Sequence, residues 1–189
     1  MPISARPILE GSFCKTIRMT DEQLVIELSR SVAAFNRYVD ELPVDVFEWE
    51  PGGKWSAGQN LSHLVRSVQA IQLGFSVPLF LLKLIYGKSN RPSRTYEELH
   101  NKYKSKLAAG GRATGRFVPG KVSTASKASL LNSHLKLIAR LQGRVTKLTE
   151  HEMEHYLLPH PLLGKLTMKE MLMFQVMHVY HHLGLLKDR

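Results

Sequence analysis

The chain has 189 residues, 43% of them hydrophobic and 22% charged, enough for one domain (1–189) with its own apolar core. Its single cysteine, Cys14, excludes an intrachain disulfide framework or a thiolate metal cluster and fits a reducing, cytoplasmic setting. The net charge of +10 is unevenly spread: between Lys83 and Lys127 eleven Lys or Arg stand against two acids, Glu97 and Glu98.

Residues 1–19 read as an N-terminal arm without the apolar run of a secretory signal. Cys14 lies in it with no histidine nearby in sequence, so a catalytic thiol is not expected there. A first helix is predicted over about 21–42, where Leu24, Leu28, Val32, Phe35, Val39 and Leu42 recur every three or four residues. Thr20 and Gln23 form a capping-box pattern at its start, and Pro43 ends it. The second helix starts after Ser56, with Gln59 as the capping partner, and carries Leu61, Leu64, Val68, Ile71 and Phe75 on its apolar stripe.

"FSVPLFLLKLIYG", 75–87, is too short for a membrane span and is broken by Pro78 and Lys83; it is predicted to be a buried helix, and no stable membrane insertion is expected. The basic crossover, 77–125, contains a short helix near 95–108. It then runs through "AAGGRATG", which lacks a phosphate-binding Gly-Lys-Ser/Thr ending and reads as a flexible connection. The crossover's charge could attract an anionic small molecule, but it has no nucleic-acid docking motif and no interleaved aromatics, so nucleic acid is not the expected partner. A third helix is predicted over 126–149, with Leu130, His134, Ile138, Leu141, Val145 and Leu148 on one stripe. A fourth, capped by Thr167 and Glu170, runs to about Lys187. Short joins elsewhere and one long crossover predict an all-α four-helix bundle whose second and third helices run parallel.

The last helix holds "MHVYHH", 177–182. His178 and His182 are four residues apart, which puts them on one face. They fall on the stripe Met171, Gln175, His178, His182, Leu185, the expected inward seam, whereas His181 is rotated about a third of a turn away. Two stacked inward imidazoles can converge on one divalent ion, but the spacing alone also fits one core histidine and one surface histidine. His63, the only histidine of the second helix, could complete the set. Periodicity leaves it open, because it lies on a flanking stripe with Ser67, Ala70 and Gly74.

"KWSAGQNLSHL", 54–64, and "HPLLGKLTMKEMLMFQVMHVYHH", 160–182, together resemble the two motifs of the DinB/YfiT-like metal-binding superfamily. The resemblance extends over nearly the whole chain, including the crossover's "FVPG". It implies an up-down-down-up bundle in which His63, His178 and His182 are the metal ligands. The same order brings His134 to that end as a pocket-lining or outer residue, with Gln59 and Gln175 as further candidates. It also implies a homodimer, commonly formed by relatives.

Three histidines leave coordination positions open, which suits catalysis or ligand capture better than a closed structural site. Zinc or nickel is the expected ion, with iron or copper also suited to imidazole. Val179 follows His178 where a zinc peptidase of the HExxH type has glutamate, and Glu154 and Glu170 lie off the seam. A thiol needs less help than water to deprotonate on a metal, so transfer of a low-molecular-weight thiol is favoured over hydrolysis. The resemblance implies both thiol S-transferases and metal-dependent hydrolases. A metal- or ligand-binding module without turnover is the further alternative.

Overall fold

The computed structural model describes residues 19–189; Cys14 and nearly all of the N-terminal arm lie outside them. Eight α-helices follow in order: α1 (Asp21–Asp40), α2 (Val44–Glu48), α3 (Ala57–Gly74), α4 (Leu79–Tyr86), α5 (Tyr96–Ala108), α6 (Lys127–Val145), α7 (Glu150–His155) and α8 (Met168–Lys187). One antiparallel hairpin, β1 (Leu157–His160) with β2 (Gly164–Thr167), sits between α7 and α8.

Each predicted capping box forms. The Thr20, Ser56 and Thr167 hydroxyls accept from the backbone N–H of Gln23, Gln59 and Glu170 at 3.1–3.2 Å, and those side chains accept from the cap residues' own N–H groups. Each box satisfies two donors that a helix start otherwise leaves bare. Thr95 with Glu98 and Thr149 with Glu152 do the same for α5 and α7.

The four long helices contact one another in a closed ring: α1 lies against α8 and α6, and α3 against α6 and α8. The α1 stripe from Leu24 to Val39 and the α3 stripe from Leu61 to Phe75 are buried as predicted. Each such Leu or Phe contributes roughly 1.5–3 kcal/mol by leaving water. Gly58 lets α2 close on the start of α3, because a Cβ there would stand 2.7 Å from the Phe47 ring.

Helix α8 differs from a one-sided amphipathic helix. Every residue from Met168 to Val179 is buried, because α1, α3, α5, α7 and the hairpin all pack around it. The predicted seam therefore does not extend the full length: its last member, Leu185, is 46% exposed.

Two further expectations change. The apolar run 75–87 is not a buried helix: α4 buries only Leu82, leaving Phe80 68% and Leu84 80% exposed. The segment "HPLLGKL", expected as a turn before the last helix, runs from the last residue of β1 through the hairpin turn into β2. Gly164 supplies the φ of +78° that this turn requires. No single helix among the described residues is long and apolar enough to cross a membrane.

The basic crossover is tied to the core by its own cations. Arg91 grips the fully buried Glu170 carboxylate with two hydrogen bonds of 2.7 and 3.0 Å, and Arg94 adds another at 3.1 Å. Lys102 donates to the Leu163 carbonyl, and just past the crossover Lys127, the first residue of α6, donates to the Asp40 and Leu42 carbonyls at the end of α1.

Candidate metal centre

The site forms where the first turns of α3 meet the last turns of α8. His63, His178 and His182 are all buried, and their ligating nitrogens lie within 4.8 Å of one another. The Nε2 atom of His178 stands 3.0 Å from Nε2 of His63 and 3.0 Å from Nε2 of His182. Nitrogens bound to one ion at about 2.0–2.1 Å are separated by about 3.0–3.4 Å, so this donor set is compatible with a divalent metal.

The outer nitrogens decide the protonation. His63 Nδ1 lies 2.7 Å from the Phe117 carbonyl, which can only accept, so Nδ1 carries the proton. His182 Nδ1 lies 2.6 Å from Asn60 Oδ1. The Asn60 amide is oriented by its NH2 group, which donates to the Trp55 and Ser56 carbonyls, so His182 Nδ1 is also the donor. In their neutral forms both rings then turn a bare Nε2 lone pair toward His178.

Burial, reinforced by neighbouring positive charge, keeps these rings neutral. Desolvation first, then the other histidines, pushes His178 and His182 well below the usual imidazole range; desolvation and Arg66 lower His63. A neutral His178 has one N–H and faces two acceptors, so it can satisfy at most one of them well. A cation at the point of convergence satisfies all three lone pairs.

The surroundings hold the rings still. Trp55 lies 5.0 Å from the His63 ring and stacks parallel to His182 at 6.3 Å. Phe174 stacks on His178 at 4.9 Å and is itself held by His160 of the hairpin at 4.2 Å. His160 Nδ1 accepts from Leu162 and Leu163 N–H, and burial pushes its pKa down to about 4. Arg66 fastens the crossover above His63 by donating to the Arg116 and Val118 carbonyls on either side of Phe117.

None of the remaining candidates is hydrogen-bonded to the three histidines. His134 is fully buried, but its Nδ1 pairs with Asn36 Oδ1 at 2.8 Å and its ring meets Phe35; no hydrogen bond joins it to the three histidines. Gln59 is the capping partner of Ser56. Gln175 is fully buried one turn before His178, with neither amide atom hydrogen-bonded. His181 is half-buried beside the centre, its ring 5.3 Å from that of His182. Glu170 is engaged by Arg91 and Arg94, and Lys169 binds Glu154 at 3.1 Å, away from the histidines.

Sequence reasoning missed Asn60, Trp55, Arg66 and the Phe117 carbonyl. Asn60 was findable, since it precedes His63 by three residues on the same helix. A backbone carbonyl from the crossover carries no side-chain signal at all.

The sequence model of the DinB superfamily matches residues 27–186, a span that takes in all three histidines. No curated protein matches the chain significantly.

Proposed function

The chain belongs to the DinB superfamily, and on that premise we propose that it is a metal-dependent enzyme that transfers a low-molecular-weight thiol to an electrophile. The reading includes an up-down-down-up bundle with a divalent transition metal held by Nε2 of His63, His178 and His182. The observation that carries it is the convergence of these nitrogens, with two of the outer nitrogens committed to Phe117 and Asn60.

A bound divalent ion would lower the pKa of a coordinated thiol and leave a thiolate at neutral pH. The chain's own part is orientation and exclusion of water. Phe117 O and Asn60 Oδ1 hold the protons on Nδ1, Phe174 and Tyr103 fix the His178 ring, and Trp55 covers His63 and His182. In the transfer, sulfur bonds to the electrophilic carbon, the leaving group departs with its electron pair, and the thiol proton goes to solvent.

The cluster contains only histidines, and Val179 follows His178, which supports thiol transfer over hydrolysis by a base-activated water. Hydrolysis remains the second reading, supported by the same open three-nitrogen set. Elemental analysis of the purified protein, with a screen of thiols against a chromogenic aryl halide before and after chelation, tests the proposal. A stoichiometric metal and chelator-sensitive transfer are expected. Metal-loaded protein inert toward every thiol, but active on esters or amides, would replace transfer by hydrolysis.

A further inference from the structure

We propose that α4 is a docking ridge that seats the protein peripherally on an anionic phospholipid surface. The metal centre lies toward the opposite end of α3, about 17 Å away along that helix, so this role is independent of the reaction.

The sequence concentrates in one stretch what such a surface needs. No Asp or Glu occurs between residues 51 and 96, whereas six Lys or Arg do. Within that stretch stands α4, "LFLLKLIY". A helix of this composition ordinarily belongs in a core, yet only Leu82 is buried. At 3.6 residues per turn, Phe80 and Leu84 point almost directly away from Leu82. Both are exposed, as are Ile85 beside them and Leu73 near the end of α3.

The ridge is fixed in place. Helices α3 and α4 meet at a bend of 100°, with Pro78 at the start of α4. Leu82 holds α4 against the protein, β1 packs against it, and Lys165 donates to the Tyr86 carbonyl of its last turn at 2.9 Å. The outward side chains are therefore presented with little ordering left to do on binding.

Charge selects the occupant. Lys83 flanks the ridge, and Lys88 and Lys165 stand at its C-terminal end, all three exposed. The hairpin that packs against α4 carries no acid. A two-fold pairing with a second copy sets the same patch on both sides, so it would oppose cations to cations with no carboxylate between them. An eight-residue helix is also only about 12 Å long, little toward the roughly 800 Å² that each partner gives to a stable protein interface. An anionic lipid surface answers both features. Its headgroups receive the ammonium groups on their flexible stems, and the apolar side chains enter to a depth of about 5–10 Å. Each cation near the surface strengthens binding about fivefold. At this length α4 lies on the membrane and does not span its core of about 30 Å.

The test is flotation of the full-length protein with vesicles of phosphatidylcholine, with and without phosphatidylserine. Phosphatidylserine should tighten binding about tenfold or more, and added salt should weaken it. Lys83→Gln with Lys88→Gln, and separately Phe80→Ser with Leu84→Ser, should each lower the affinity about tenfold or more. Circular dichroism and the unfolding midpoint should not change, because all four side chains are exposed. If the apolar pair loses helicity, Leu84→Ser alone, at the most exposed of these positions, provides the same comparison. Protein that stays unbound in the presence of phosphatidylserine overturns the proposal. So does vesicle binding that the apolar substitutions leave unmoved, which would trace it to net charge alone. A dimer in sedimentation equilibrium that Phe80→Ser with Leu84→Ser dissociates also overturns it, and assigns the ridge to a second copy.

Discussion

Replacing Asn60 by leucine tests whether the tautomer of His182 is set from outside the metal. The Asn60 Oδ1···Nδ1 contact is 2.6 Å, and both side chains are buried, so no water can substitute readily for the lost acceptor. In the metal-free protein the orphaned Nδ1–H costs about 1–3 kcal/mol, lowering the unfolding midpoint. With metal, the ring must hold its Nδ1 proton unaided while Nε2 ligates. Loss of such an outer partner weakens metal affinity about 10–100-fold, or about 1.4–2.7 kcal/mol. Competition against a chromophoric chelator at fixed pH measures this directly. Asn60→Asp keeps the acceptor and adds a charge, so its affinity should equal or exceed that of the original protein. An Asn60→Leu variant whose affinity stays within about twofold of the original, with an unchanged circular dichroism spectrum, would refute the reasoning. Equal losses in both variants would trace the effect to the amide NH2, which donates to Trp55 and Ser56, rather than to the tautomer.

His178→Ala and His182→Ala should each abolish stoichiometric metal binding by elemental analysis, while His181→Ala retains it; loss from the latter would place the ligand set elsewhere. Glu170→Gln should destabilise the fold by about 1.5–3 kcal/mol in denaturant titration, because it removes the charge from the hydrogen bonds of Arg91 and Arg94, whose guanidinium groups stay partly solvated. Burial alone would raise the Glu170 pKa, but the bonds from Arg91, Arg94 and Thr167 outweigh it and hold it low. Its contribution is therefore present above the ordinary carboxylate range and lost as pH falls through the depressed value. His134, pushed down to about 4 by burial, acts in the same direction at higher pH. The unfolded chain takes up its proton near 6.5 and the folded chain only near 4, so stability falls across that window by about 3 kcal/mol. His134→Leu paired with Asn36→Leu should flatten this part of the pH–stability curve; an unchanged slope would rule out His134 as the source.

Much of the architecture was legible because it is locally encoded. Thr20, Ser56 and Thr167 each cap a helix using a partner three residues away, and the apolar stripes of α1 and α3 recur at the helical period. The pairing of His178 with His182 is likewise a property of one helix. The exposure of α4 was not legible, since an apolar run has the same composition whether or not a neighbour covers it. The hairpin was not legible because its strands are only four residues long and carry Pro159, and their pairing depends on packing against α8 and α4.

For the site, the chain by itself determined which residues could ligate and the spacing of two of them, because periodicity fixes the angle between residues on one helix. Only the tertiary structure decided that His63 turns inward toward His178, and that His134 pairs with Asn36 instead. It also decided that the crossover brings a carbonyl to His63 and that Tyr103 stands beside His181. These are contacts between residues far apart in sequence. They arise from how helices pack, and no local pattern specifies which of several compatible faces meets which neighbour.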